Sequence, residues 1–178
     1  MDRGSNHIPR GVASINAQAV KPEIDTSVLL AGAQFVDAYR IAVGAAIHDA
    51  RLAAEHMLGR QPRWITGLMV VRNCVVAPFG LKTPVPEQTA SADMIGIFPV
   101  LSASPDRLVA GFDDRHLDFR VIVEVARTNL GHRVTTTTLV RTHNLLGRVY
   151  LAVVLPFHRI IVRSMLRQLA RTSHRQPA

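Results

Sequence analysis

The sequence predicts an α+β fold in which a curved antiparallel sheet packs against one long C-terminal helix. Three observations predict it. Residues 94–143 alternate apolar and polar side chains in segments separated by short turn sequences, the signature of an antiparallel meander. Residues 147–175 switch to helical spacing with one apolar side. A chain of 178 residues, 48% of them hydrophobic, suits one core and is short for two.

Taken in order, residues 1–24 mix Gly, Ser, Asn, Pro and isolated charges without periodicity, which reads as a disordered N-terminal tail ahead of a single domain over 25–178. Within 32–43, Phe35, Asp37, Tyr39, Ile41 and Val43 share one face of a first strand, which places Asp37 and Tyr39 inward. Asp49 is an N-cap candidate for a short helix that Gly59 ends in a left-handed conformation. Gln61 and Pro62 open a second helix carrying Trp64, Leu68 and Cys74 and stopping before Pro78. A proline-containing loop over 81–93 follows. Strands are expected at 94–102, 108–113, 117–127 and 132–143, with turns at SPDR, DDRH and TNLGH. In the third of these, Leu117, Phe119, Val121, Val123 and Val125 face inward. In the fourth, Val134, Thr136, Thr138 and Val140 alternate with Arg133, Thr135, Thr137, Leu139 and Arg141; with the first set inward, two hydroxyls stand on an apolar wall.

The closing helix combines an apolar run with arginines. At about 100° per residue, Arg148, Arg159, Arg163, Arg167 and Arg171 occupy one sector, while Tyr150, Val154, Phe157, Ile161 and Met165 occupy the opposite one. A membrane-spanning reading would put Arg159 and Arg163 near the bilayer centre at roughly 2.5–3.5 kcal/mol each, so the apolar side is expected to bury against the sheet. Pro156 projects from the arginine side, where water can satisfy the freed carbonyl of Ala152.

The order strand, two helices, four-strand meander and long helix resembles the START-like helix-grip fold, in which a sheet wraps around the C-terminal helix and a cavity often lies between them. The segments VAPFGLKT at 76–83, GFDDRHLDFRV at 111–121 and RTHNLLGRVYLAVVLPFHRIIVRSML at 141–166 resemble an uncharacterised bacterial domain family grouped with START-like (polyketide cyclase or lipid-transfer-like) proteins. That family occurs alone or behind an epimerase-like NAD(P)-binding domain. The resemblance covers about residues 27–170 and implies a fold, not a chemistry. This chain has no GxGxxG after a strand, so no nucleotide cofactor is expected.

The net charge of +8 is concentrated: from Arg141 onward there are seven arginines and no acid, so the rest of the chain carries +1. With 5% aromatic residues and no RNA-binding motif, no nucleic-acid partner is expected. The arginine face is read first as a solvated face, with weak contact to an anionic membrane as its functional alternative. Cys74, the single cysteine, reads as a buried thiol in a reducing cytoplasm. Asp113, Asp114, His116 and Asp118 are dense in metal-ligand types, but the segment reads as a hairpin turn, and no metal is expected. No catalytic motif of the GxSxG or HExxH kind is present.

The leading expectation is therefore a monomer or homodimer holding a small hydrophobic molecule or lipid between sheet and helix. Its polar contacts are expected from Asp37, Tyr39, Thr136, Thr138 and His158. Its apolar contacts are expected from Phe119, Val121, Phe157, Ile161 and Met165. The alternatives are a cyclase- or hydrolase-like enzyme on such a ligand, with Asp37, Tyr39 and His158 as acid/base candidates, and a docking module using the arginine face.

Overall fold

The structure is a computed structural model, and it describes residues 16–59, 93–129 and 131–173. The expected helix from Gln61, the loop over 81–93 except Asp93, the motif at 76–83 and Cys74 lie outside the described residues.

Among the described residues, seven antiparallel strands form one sheet. They are β1 (Gln18–Val20), β2 (Phe35–Val43), β3 (Met94–Ile95), β4 (Phe98–Ala103), β5 (Arg107–Asp113), β6 (Leu117–Thr128) and β7 (Gly131–Thr142). Their spatial order is β1-β2-β7-β6-β5-β4-β3, so the early strand β2 pairs with the last strand. Short helices α1 (Thr26–Leu29) and α2 (Ala50–Ala54) follow the first two strands, and α3 (Leu145–Ser173) closes the chain.

The alternation in β2, β6 and β7 sets which face is covered. Across the sheet, Phe35 sits opposite Val140, Asp37 opposite Thr138 and Tyr39 opposite Thr136. Val121 and Val123 flank the same two threonines from the other side. This inner face, with Ile41, Val43, Val125 and Val134, forms the main core together with α2 and the distal part of α3. Asp49 caps α2 as its sequence position predicts, accepting from the amides of Arg51 and Leu52 at 2.7 and 3.1 Å. The Ala50 amide then reaches back to the Pro105 carbonyl in the β4–β5 turn, fixing α2 against the sheet.

Four expectations are corrected. The first concerns residues 1–24 as a tail. Gln18–Val20 pair with β2, and Glu23 bonds Arg40 at 2.8 Å. Ile24 and Leu29 help cover Ile122 and Leu139 on the outer face of the sheet. That face carries enough apolar surface to need a cover, and α1 with its flanks supplies it. Second, Gly59 does not take a positive φ. The helix instead widens into a π-type turn over Glu55–Gly59, which turns Met57 and Leu58 inward. Third, the strand expected at 94–102 is a hairpin. Gly96 at φ +61 turns the chain so that Ile95 pairs with Phe98, and a Cβ there would stand 2.6 Å from the Leu58 carbonyl oxygen.

The fourth correction concerns the closing helix. Its distal part buries Val162, Met165, Leu166, Leu169 and Ala170. Ser173 latches its end to the sheet, its hydroxyl accepting from the Gly44 amide at 3.0 Å. By length and composition α3 could cross a membrane, yet this distal part lies in the core. The proximal part instead leaves Val149, Val153, Phe157 and Ile160 largely exposed. Phe157, expected on the buried side, is 45% exposed, because the buried face of α3 is centred further round the helix, on Leu166 and Leu169.

Candidate functional site

Between the inner face of the sheet and the proximal part of α3 lies a cavity of about 190 Å³. One wall is a stacked aromatic group from neighbouring strands, with Phe98, Phe112 and Phe119 centroids 5.2 to 6.3 Å apart. The pairing of Phe112 with Phe119 across the β5–β6 hairpin makes that contact unavoidable once the register is set. The opposite wall is α3, contributing Val154, His158, Ile161 and Met165. Met57 and Leu58 of the π-type turn and Ile97 of the β3–β4 hairpin complete the rim.

Of the residues singled out from the sequence, Phe119, Val121, Thr136, Thr138, His158, Ile161 and Met165 line this cavity, whereas Asp37, Tyr39 and Phe157 do not. Tyr39 is 3% exposed, and the Arg163 guanidinium covers its ring at 5.2 Å. Burial raises its phenol pKa first, and the negative charge of Asp37 adds to that, against the opposing positive charges of Arg163 and Arg159. The phenol therefore stays protonated. Asp37 stands behind His158: its Oδ1 lies 3.3 Å from the imidazole Nε2, and the two side chains are 16% and 15% exposed. Phe35 meets the same imidazole edge-on at 5.8 Å, which limits how the ring can turn.

The polar atoms of the wall separate into committed and uncommitted ones. The Thr136 hydroxyl donates to the Met57 sulfur at 3.6 Å. The Thr138 hydroxyl and the His158 Nδ1 have no partner among the described residues, and both residues face the cavity. Asp37 Oδ2 is buried and accepts no hydrogen bond among the described residues. The cavity is thus largely apolar, with Tyr150 on the α3 wall and a polar corner where β2, β7 and α3 meet. Sequence alternation finds Thr138 and Asp37. The helical period finds His158. The aromatic group and Met57 depend on hairpin register and on the π-type turn, which no local signal announces, although Gly96 at the first position of a two-residue turn marks the β3–β4 hairpin.

The dense acidic segment lies elsewhere, at the β5–β6 turn. Asp113 pairs with Arg120 at 2.6 Å, which holds its carboxyl below the usual carboxylate range. Asp118 pairs with His143 at 2.9 Å. His116 meets the Asn144 amide at 2.9 Å, and Asn144 in turn accepts from the Gly147 amide at 3.0 Å at the start of α3. These side chains tie the turn to the entry of α3.

Fold and cavity together define an α+β protein with an apolar chamber between a curved antiparallel sheet and a C-terminal helix. Residues 29–165 match the family described as Protein of unknown function (DUF2867). The chain belongs to that family. Among solved structures it is similar to protein MLL2253 from Mesorhizobium loti, at 17% identity and a TM-score of 0.31, over 43% of this chain and 59% of that one. The chain therefore spans less than two thirds of that protein's length. No curated protein matches it.

Proposed function

We propose that this chain binds a small, largely apolar molecule carrying one hydrogen-bonding group, held between the Phe119 wall and α3 with its polar end at Thr138 and His158. The observation that carries this reading is the cavity itself, apolar over most of its wall and provided with uncommitted polar atoms at one corner. The order of elements, which resembles the helix-grip arrangement with its frequent cavity between sheet and helix, supports the same reading. Volume narrows the guest: about 190 Å³ compares with the roughly 150 Å³ of an engineered cavity that takes up benzene, and falls below the ~300–1,000 Å³ of sites for larger ligands. The guest is a substituted ring or a short chain, not a whole phospholipid. Thermal melting with alkyl phenols and short-chain alcohols and acids tests it. A binder present at 100 times its Kd stabilises the fold by about 2.7 kcal/mol, and Ile161→Trp, which fills the cavity, removes that gain. No stabilisation by any of these compounds rejects the reading.

A second reading, weak contact with an anionic membrane, is favoured by the exposed Val149, Val153 and Ile160 beside the arginines 148 and 159 on α3. Co-sedimentation with phosphatidylserine vesicles, lost on Ile160→Asp and weakened by salt, is expected if it holds. Absence of binding at low salt dismisses it.

A further inference from the structure

The geometry points to His158 as a general base serving the cavity, with Asp37 as the positioning residue behind it. This inference rests on the cavity-binding reading above. A carboxylate on one imidazole nitrogen fixes the tautomer: Nε2–H donates to Asp37 Oδ1, so Nδ1 carries the lone pair. Phe35 braces the ring, and Nδ1 has no partner among the described residues. A hydrogen-bonding residue alone requires no such backing. A base does, because the carboxylate stabilises the imidazolium that forms when the proton arrives. Thr138, directly opposite Asp37 in the sheet register, leaves a hydroxyl in the same corner that can donate to a developing oxyanion.

The substrate class is a small apolar carbon acid, a molecule whose C–H is acidified by a neighbouring carbonyl or azole. Nδ1 takes the proton as the C–H bond breaks, and the electron pair moves onto the carbonyl oxygen as an enolate. Return of the same proton to another carbon completes an isomerisation that consumes nothing else.

5-Nitrobenzisoxazole reports this step directly. Loss of its single acidic C–H proton forms a nitrile as the N–O bond breaks and releases a coloured phenolate. Wild-type protein is expected to turn it over above the solution rate. His158→Ala is expected to lose about 10²-fold or more in kcat/KM and to regain part of it with added imidazole. His158→Gln, which keeps the bond to Asp37, covers the case of a misfolded alanine variant. Asp37→Asn is expected to lower kcat while leaving KM unchanged, a split that a merely structural role does not produce. Calorimetry with the unreactive isostere 5-nitroindazole separates the two readings. If the isostere binds and turnover is absent, or is unchanged in both His158 variants, the base assignment is overturned and the cavity reading stands. If the isostere does not bind, both are overturned.

Discussion

At Gly147 a Cβ would lie 2.1 Å from the His116 carbonyl oxygen, so the first turn of α3 presses its backbone on the β5–β6 turn. Alanine is about 1 kcal/mol better than glycine inside a helix, and at an exposed position Gly→Ala would stabilise. Here the contact decides the sign: Gly147→Ala is expected to destabilise by about 1–3 kcal/mol in urea unfolding. His132 offers a second single-residue test. Both its ring nitrogens are buried without a partner among the described residues. Its pKa is lowered from 6.5 by burial first, then by Arg127 and His48. The folded state therefore refuses a proton that the unfolded chain binds, and stability falls as pH drops through the unfolded value, a loss complete only below the folded one. His132→Leu should show a smaller drop in unfolding midpoint than wild type between pH 7.5 and pH 5; an equal drop would place the acid sensitivity elsewhere.

Helix α3 behaves as two half-elements. Leu169 is fully buried, and Leu169→Ala is expected to cost about 2–5 kcal/mol, whereas Val153, 48% exposed, should change stability by less than about 0.5 kcal/mol on truncation to alanine. Chemical denaturation of the two variants side by side checks the contrast. The same helix shows how much of the fold is legible in the sequence. Its two-faced character and the inward sets of β2 and β6 follow from period alone, since each strand has only two faces; β7, with threonines on both and both covered, has its face fixed by register with β2 and β6. A helix has no such binary choice. Counting about 100° per residue from Leu145, Phe157 lies about 120° round, while Val162, Leu166 and Leu169 lie at about 240–300°. The apolar arc in the sequence is wide enough to admit either centre, and packing on β2, not the sequence, selects the second. Alternation places Asp37 and Tyr39 inward. That His158 and Arg163 then cover them depends on this rotation of α3, which a one-dimensional pattern does not contain.

For the whole molecule, the cavity exists because the distal part of α3 is drawn into the core while its proximal part stands off the β4–β6 side of the sheet. Ser173 holds one end of that arrangement through Gly44, and Asn144 holds the other through Gly147. Ser173→Ala leaves the Gly44 amide without its acceptor and is expected to cost about 1–2 kcal/mol by denaturation. If it costs nothing, the latch is incidental to the chamber. The pairing of β2 with β7 carries a consequence for synthesis. Strand Phe35–Val43 bonds along its whole length to residues 132–140, so on the ribosome it has no partner there until nearly a hundred further residues have been made. At about 5–20 residues per second, that edge waits roughly 5–20 s, long enough for chaperones or sister chains to find it. Nascent chains stalled before residue 131 should be cut by protease within 35–43, and chains stalled after the tunnel has released residue 142 should resist.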